Sequence, residues 1–220
     1  MSRSATHTPI VYLHGFASSP HSTKATYLGE RFRAHGCTFV CPDLNEPDFA
    51  TLTMTRMLER VAGLLDDLAE PSLLIGSSLG GTLAVLLAER FPSRVDRLVL
   101  MAPAVMFAKP GHHLLPPERL EAWRRSGELA FFHYAANREE ALRYAFYEDS
   151  LQYDAFNASF AQPALVFQGL RDASVDARTV EQFALGRSNV TLSLLDDDHQ
   201  LTASLPRMWI DIEAFVGLVA

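Results

Sequence analysis

A serine between glycines carries the strongest chemical signal in the sequence. The segment Gly76-Ser77-Ser78-Leu79-Gly80 matches the pattern G-x-S-x-G, and only Ser78 has glycine both two residues before it and two residues after it. An apolar run typical of a buried strand precedes the segment, and an apolar helical pattern follows it. Glycines at these positions allow a sharp, strained turn that exposes the serine hydroxyl. This context predicts that Ser78 is a nucleophile, and the alternative is a tight glycine-rich turn without chemistry.

A serine hydroxyl is a poor nucleophile at neutral pH and needs a general base, normally a histidine that a carboxylate orients. Asp172 and His199 each follow a predicted strand, and they come after Ser78 in the order serine, aspartate, histidine. We therefore expect Ser78, Asp172 and His199 to form a catalytic triad, with Asp176 as the alternative acid. The other histidines are expected to be surface residues, residues of an insertion or, for one of them, a neighbour of the serine turn: His7, His14, His21, His35, His112, His113 and His133.

Two backbone amides are candidates for stabilising the negative charge that develops on a substrate carbonyl oxygen. One belongs to Leu79, at the predicted N-terminus of a helix directly after the candidate nucleophile. The other belongs to Phe16, in the loop after the first predicted strand, where Gly15 allows close approach of the backbone. His14, in the same loop, is a candidate substrate-binding residue. Taken alone, His14-Gly15 would indicate only a turn that ends a strand.

Short apolar runs alternate with helical patterns and predict the elements that position these residues. Six runs predict strands: 9–13, 37–41, 72–75, 97–101, 164–167 and 190–195. Because the runs lack strict two-residue alternation, they are typical of a parallel sheet that helices cover on both faces. The predicted fold class is α/β, with a doubly wound, mostly parallel six-stranded sheet in a single domain over residues 1–220.

Residues 105–162 interrupt this alternation and are rich in aromatic side chains. We expect a helical cap insertion here, with helices around 118–125 and 139–147. In a doubly wound sheet, a segment inserted after the carboxyl end of a strand lies over the ligand crevice. Trp123 and Phe131 are therefore candidate substrate-binding residues, although aromatic residues of this kind also form ordinary core.

Composition argues against several classes of function. A net charge of −7 without a basic cluster argues against nucleic-acid binding. No apolar run approaches the roughly 18 residues of a membrane span, and the polar start of the chain does not indicate a signal peptide. Cys37 and Cys41 would lie about 13 Å apart in a strand, too far for a disulfide, and they lack zinc-site spacing. We expect a cytoplasmic protein with reduced thiols and no metal or organic cofactor.

Several segments together resemble a known group of enzymes. They are Tyr12-Leu-His-Gly-Phe-Ala-Ser-Ser-Pro20, Lys24-Ala25, Gly76-Ser-Ser-Leu-Gly-Gly81, Gly169-Leu-Arg-Asp172 and Asp198-His199. The chain resembles the small YqiA-type esterases of the α/β-hydrolase superfamily. The resemblance implies an α/β-hydrolase fold and a carboxylesterase with Ser78, Asp172 and His199 as the triad. Val175 stands where many relatives have proline, which leaves Asp176 open as the acid, and the insertion has no match in that group, so the substrate is not carried over.

The expected reaction is acyl transfer to water, with a small-molecule ester or thioester as substrate. His199 would deprotonate Ser78, the Phe16 and Leu79 amides would hold the oxyanion, and Asp172 would orient the imidazole ring. Two alternatives are a lyase or C–C bond hydrolase that uses the same triad, and a binding protein without turnover.

Overall fold

The computed structural model describes residues 8–109, 112 and 115–218, and within them a parallel sheet at the centre of the molecule. Its strands and those of a separate hairpin are β1 (Ile10–Leu13), β2 (Phe39–Val40), β3 (Ser72–Ser77), β4 (Val95–Met101), β5 (Glu128–His133), β6 (Arg138–Arg143), β7 (Ala164–Gly169) and β8 (Val190–Leu195). Six of them form one sheet in the order β2-β1-β3-β4-β7-β8, and all the pairings in it are parallel. The predicted α/β class with a six-stranded parallel sheet is confirmed.

Helices connect the strands and cover both faces of this sheet. They are α1 (Thr23–Ala34), α2 (Met54–Asp67), α3 (Leu79–Arg90), α4 (Pro117–Ser126), α5 (Ala145–Ser150), α6 (Ala177–Ala184) and α7 (Leu205–Val216). None of the helices in the described ranges is long and apolar enough to cross a bilayer.

The order of the strands determines where a ligand crevice opens. From β1 the chain moves outward to β2, then returns to the other side of β1 with β3 and continues through β4, β7 and β8. The loops that follow β1 and β3 therefore diverge at the carboxyl edge of the sheet, which is the position where doubly wound folds bind ligands. The loops that bear Phe16 and Ser78 are these two.

Two apolar cores, one on each face, hold the sheet in place. Successive residues of β3 belong to opposite cores, since Leu74 packs with α2 and α3 whereas Leu73 and Ile75 pack with α1 and α7. Ten of the twelve residues of α3 are buried, so this helix is apolar around most of its circumference. A helix that is packed so completely provides a rigid support for the residue at its start.

Local sequence signals mark the ends of α1. The Ser22 hydroxyl accepts a hydrogen bond from the Ala25 amide at 3.4 Å, as an N-cap does, and Gly36 follows the helix with φ +75°. The strand after it is shorter than expected, because only Phe39 and Val40 of residues 37–41 pair with β1.

The insertion between β4 and β7 differs from the predicted helical cap. A helix was expected at residues 139–147, but residues 138–143 form β6, which pairs with β5 in an antiparallel hairpin. The prediction was wrong there because the hairpin buries one side of each strand: along β5, Leu129, Phe131 and His133 are more buried than the residues between them. A two-residue alternation of burial is typical of a strand, and an asparagine in the turn, here Asn137 at φ +51°, favours a hairpin.

Candidate active site

Ser78 lies at the apex of a sharp turn between β3 and α3. Its backbone has φ 53° and ψ −116°, a conformation that is strained for any residue other than glycine. The Ser78 amide donates to the Met101 carbonyl at 2.9 Å, and its own carbonyl accepts from the Gly81 amide at 2.9 Å and the Ala104 amide at 3.1 Å. The neighbouring strand β4 and the loop after it therefore hold the turn in its strained form.

The glycines of the motif are required by close backbone contacts. A Cβ atom on Gly80 would overlap the Leu13 carbonyl at the end of β1, and one on Gly76 would overlap the backbone of Gly80. A Cβ atom on Gly81 would lie 2.8 Å from the Cβ atom of Pro103, which is closer than carbon atoms pack. The start of α3 is thus pressed against the ends of two neighbouring strands, which brings Ser78 next to the loop after β1.

The structure brings together the three side chains that the sequence singled out. The Oγ atom of Ser78 lies 3.1 Å from Nε2 of His199, and Nδ1 of His199 lies 2.8 Å from Oδ2 of Asp172. A carboxylate only accepts hydrogen bonds, so Nδ1 carries the ring proton and donates a hydrogen bond to Asp172. Nε2 is then unprotonated and accepts the Ser78 hydroxyl, which is the arrangement that a general base requires.

The Asp172 carboxylate is saturated with donors. Oδ1 accepts from the Ser174 and Val175 amides, both at 2.8 Å, and Oδ2 accepts from Nε2 of Gln168 at 3.0 Å as well as from His199. Burial by itself raises the pKa of Asp172, but the hydrogen bonds from His199 and the two amides outweigh burial and leave the pKa below its usual value. The group therefore remains an anion beside His199 at neutral pH.

Asp176, the alternative acid, has a different role. It is the N-cap residue of α6, and its carboxylate accepts from the Arg178 amide at 3.0 Å. The structure places Asp172 rather than Asp176 against the His199 ring.

Main-chain hydrogen bonds join the loop after β7, which bears Asp172, to the loop after β8, which bears His199. The Leu170 amide donates to the Leu195 carbonyl at 2.8 Å, and the Arg171 amide donates to the Asp197 carbonyl at 3.0 Å. A Cβ atom on Gly169 would lie only 2.5 Å from the Asp197 carbonyl oxygen, so a glycine is needed where the loops meet. These contacts determine the separation between Asp172 and His199.

The two amides expected to form an oxyanion hole belong to Phe16 and Leu79, which line the same cavity as Ser78. Within the part of the chain that the structure describes, neither the Phe16 nor the Leu79 amide donates a hydrogen bond to another group. Leu79 begins α3, where an amide has no acceptor inside the helix. The Cβ position of Gly15, directly before Phe16, lies 3.4 Å from the Cβ atom of Ser78. Both amides are therefore available to a ligand at Ser78.

His14 supports the backbone instead of facing a ligand. Its side chain is 1% exposed, Nε2 accepts from the Leu44 amide at 3.0 Å, and Nδ1 donates to the Gly15 carbonyl at 2.9 Å. Because both ring nitrogens bond the main chain, the ring is absent from the cavity wall and holds the loop that precedes Phe16.

A cavity of about 1200 Å³ opens at Ser78 and His199. One part of its wall is apolar and comes from Phe16, Ala104, Met106, Phe107 and Tyr134. Another part is polar and comes from Ser18, Ser19, Thr23, Lys24 and Thr202. The cavity lining thus includes both apolar and polar side chains next to Ser78 and His199.

Two of the predicted substrate-binding residues lie away from this cavity. Trp123 is fully buried, donates from Nε1 to the Leu142 carbonyl at 2.8 Å and packs edge-on against Phe131. Phe131 in turn packs edge-on against Phe16, with 5.4 Å between ring centroids, so it backs the cavity wall without forming it. The aromatic density of the insertion correctly indicated the region, but the signal does not distinguish wall residues from the core behind them.

The cavity residues that sequence reasoning missed include Met106, Phe107, Tyr134 and Lys24. Tyr134 directly follows β5 and its side chain is 69% exposed, so a turn residue of the hairpin reaches the rim. His112 also lines the cavity, although the ring that bonds Ser78 is that of His199. His7 and His113, considered above as other histidines, lie outside the described residues.

Comparison with protein families finds one match over almost the whole chain. The family model described as "Uncharacterised protein family (UPF0227)" matches residues 9–216. Among curated proteins, the palmitoyl-protein thioesterase ABHD10 of Mus musculus is 30% identical over 125 residues, which is 54% of this chain and 42% of that protein. The Rattus norvegicus protein of the same name is 25% identical over 175 residues, which is 76% of this chain and 59% of that protein. The chain thus spans about half the length of the curated relatives it matches.

Solved structures share the fold. A putative hydrolase from Agrobacterium vitis S4 superposes with a TM-score of 0.84 at 24% identity, over 97% of this chain and 89% of that chain. Mouse ABHD10 superposes with a TM-score of 0.79 at 24% identity, over 96% and 90% of the two chains. Est1E from Butyrivibrio proteoclasticus, solved with ferulic acid bound, gives 0.82 at 18% identity, over 96% and 89%. At these identities the likeness shows the α/β-hydrolase fold.

Proposed function

The chain belongs to the UPF0227 family, the YqiA-type group of α/β hydrolases, and we propose that it is a serine hydrolase that cleaves acyl esters or thioesters through an acyl-enzyme on Ser78. The observation that carries the proposal is the pair of hydrogen bonds from Ser78 to His199 and from His199 to Asp172. A hydroxyl activated by an oriented imidazole, with two free amides beside it, suits attack on a carbonyl carbon.

The first half of the reaction forms the acyl-enzyme. The Ser78 oxygen attacks the carbonyl carbon while Nε2 of His199 takes the hydroxyl proton. The carbonyl oxygen becomes an oxyanion, which the Phe16 and Leu79 amides stabilise together with the N-terminus of α3. As the tetrahedral intermediate collapses, Nε2 gives the proton to the departing alkoxide or thiolate, which leaves as alcohol or thiol.

Water completes the reaction. A water molecule gives a proton to Nε2 and attacks the acyl carbon, the same amides hold the second oxyanion, and the C–O bond to Ser78 breaks. Nε2 returns the proton to the Ser78 oxygen, and the carboxylic acid departs. Asp172 keeps the Nδ1–H tautomer and stabilises the imidazolium that exists in both halves of the reaction.

The shape and chemistry of the cavity suggest the substrate class. The apolar wall of Phe16, Met106, Phe107 and Tyr134 suits an acyl group, and its burial there would contribute about 25 cal/mol per Å² of apolar surface removed from water. Thioesterase activity named for the ABHD10 relatives and ferulic acid bound to Est1E both fit acyl chemistry at such a site. We therefore propose small acyl esters and thioesters as substrates.

Active-site labelling tests the nucleophile. A fluorophosphonate probe should label the wild-type protein on Ser78, and Ser78→Ala should abolish labelling, because the probe needs an activated serine. Ser77→Ala is the matched control, since it removes the neighbouring hydroxyl and should leave Ser78 labelled. Absence of label on the wild type, or equal labelling of Ser78→Ala, would contradict the proposal.

Turnover separates hydrolysis from other chemistry. A panel of p-nitrophenyl esters and acyl thioesters of rising chain length should be hydrolysed with a transient acyl-enzyme on Ser78 that mass spectrometry detects. A protein that is labelled by the fluorophosphonate but cleaves none of these substrates would support the lyase or C–C hydrolase alternative instead.

A further inference from the structure

Lys24 is a buried lysine beside the candidate active site, and the mechanism above leaves it without a role. The residue is 7% exposed, lies in the first turn of α1 and lines the cavity. Lysines are rarely buried unless they are paired. The first turn of a helix is also the end at which the helix dipole disfavours a cation. A charge that is unfavourable on both counts needs a compensating interaction.

That interaction is a hydrogen bond to the loop that bears the general base. Nζ of Lys24 donates to the Gln200 carbonyl at 2.8 Å, and Gln200 is the residue directly after His199. The two residues are 176 positions apart in the chain, so the bond ties α1 to the loop after β8. A hydrogen bond from an ammonium group is about twice as strong as one between neutral groups.

Three carboxylates attract the same ammonium group electrostatically. They are Asp198 and Asp197, in the loop after β8 that bears His199, and Asp172, in the loop after β7. Burial lowers the pKa of Lys24 from 10.5 to about 8, and attraction to Asp198, Asp172 and Asp197 limits the decrease. The ammonium is therefore charged at neutral pH and loses its proton in the mildly alkaline range.

We infer that Lys24 is a positioning residue for the general base. Its ammonium group holds the Gln200 carbonyl and so keeps the His199 ring in line between Ser78 and Asp172. Its charge also balances the carboxylates of the two loops that bear Asp172 and His199. This inference rests on the proposed function, because the role matters only if His199 moves protons. Removing the ammonium should slow both halves of the reaction, since both use Nε2 of His199.

Three variants test the inference. Lys24→Met keeps an unbranched side chain of similar length and removes the charge, whereas Lys24→Arg keeps a charged donor. The only other lysine of the sequence, Lys109, provides the matched control Lys109→Met, because it lies near Asp154 at 4.0 Å and outside the cavity wall. kcat, KM, the rate of fluorophosphonate labelling and the melting temperature should be measured for each protein.

If Lys24 aligns the His199 ring, the variants should differ in kcat and labelling rate more than in KM. Lys24→Met should lower kcat and the labelling rate by about 10- to 100-fold, because small displacements of a catalytic group have effects of this size. KM should stay within about threefold, since the acyl wall is untouched. Lys24→Arg should recover a large part of kcat, and Lys109→Met should match the wild type. A folded Lys24→Met protein with wild-type kcat and labelling rate would overturn the inference, whereas a wild type that is neither labelled nor active would instead refute the proposed function.

The pH dependence gives a readout that a purely structural role would not produce. Wild-type kcat should fall as pH rises through about 8, and Lys24→Arg, whose guanidinium keeps its charge, should not show this fall. Stability should change in the opposite direction, because the folded protein releases the Lys24 proton near pH 8 and the unfolded chain near 10.5, so folding is favoured as pH rises between these values. A wild-type kcat that stays constant from pH 7 to 9.5, or an equal alkaline fall in Lys24→Arg, would overturn the inference.

Discussion

The carboxylates of Asp172 and Asp176 accept hydrogen bonds from different groups. Asp172 and Asp176 follow the same strand, four residues apart, and both precede His199 in the required order. The Ser174 and Val175 amides occupy Oδ1 of Asp172 and turn Oδ2 toward His199, whereas Asp176 uses its carboxylate to cap α6. The choice depends on the path of a short loop, which residue types alone do not encode.

Replacing each aspartate by asparagine tests this assignment. In Asp172→Asn, the amide oxygen should face the Ser174 and Val175 amides, so the NH₂ group faces His199 and forces the proton onto Nε2. That tautomer cannot accept the Ser78 proton, and kcat should fall about 10³- to 10⁴-fold. Asp176→Asn should retain kcat within about threefold, because asparagine is also a good N-cap. Steady-state kinetics with a p-nitrophenyl ester measures both, and equal losses would contradict the assignment.

Among the elements, the turn between β3 and α3 and the insertion contribute differently to the site. The turn was predictable because its requirements are local: an apolar strand, glycines at fixed positions and an apolar helix. The insertion was predicted only in part, because residues 138–143 adopt a strand through pairing with β5 and packing around Trp123, which are contacts distant in sequence. Its turn residue Tyr134 reaches the cavity for the same reason.

A pair of glycine-to-alanine changes tests the packing of the turn. Gly80→Ala should lower the free energy of unfolding by about 3 kcal/mol or more, because its Cβ atom would overlap the Leu13 carbonyl. Gly63→Ala, in the exposed middle of α2 with no atom near its Cβ position, should raise it by about 1 kcal/mol. Urea denaturation followed by circular dichroism measures both. Changes of the same sign in the two variants would argue against this account.

Alanine substitutions in and behind the cavity wall should separate selectivity from stability. Phe107→Ala should shift the preferred acyl chain to a longer one and lower kcat/KM for the original chain by about tenfold, since it enlarges the apolar wall. Trp123→Ala should cost about 3–5 kcal/mol of stability and leave the chain-length profile of the folded protein unchanged. Ester panels and thermal melts give the two readouts. A changed chain-length preference in Trp123→Ala alone would indicate that Trp123 contacts the substrate.

For the whole molecule, the periodicity of apolar residues was sufficient to predict the class of fold and most of its sheet. Local patterns determine which segments become strands and helices, and parallel strands in this order bring their carboxyl ends to one edge. Ser78 and His199 therefore meet across 121 positions, as their places at strand ends predicted. The bond from Lys24 to Gln200 crosses an even longer separation, and it was not predicted because nothing in the local pattern of α1 indicates a partner in the last loop.

Low pH should destabilise the fold through the loops that bear Asp172 and His199. The pKa values of Asp172 and Asp197 lie below the usual 3.8. Burial raises both, but hydrogen bonds outweigh it: at Asp172 the bond from His199, and at Asp197 the bonds from the Ser204 side chain and from the Asp198 and Ser204 amides. Since the folded pKa values are lowered, this stabilisation is fully present above pH 3.8 and is lost as pH falls below it. Urea unfolding from pH 6 to pH 2.5 should show the decline, less steeply in Asp197→Asn. The exposed control Asp67→Asn should follow the wild type, and identical slopes for all three proteins would contradict the account.

The main-chain hydrogen bonds between the loops after β7 and β8 indicate which nearby side chains can be varied by mutation. The spacing between Asp172 and His199 depends on main-chain amides and carbonyls of Leu170, Leu195, Arg171 and Asp197. The exposed side chains of these loops are therefore not needed to maintain it. Leu170 is 56% exposed, and Arg171 and Asp196 pair with each other in solvent. A mutational library at Leu170, Arg171 and Asp196 could therefore vary the surface beside the catalytic groups over many residue types while their alignment is preserved. These three positions are a starting point for redesign of the surface beside the proposed active site.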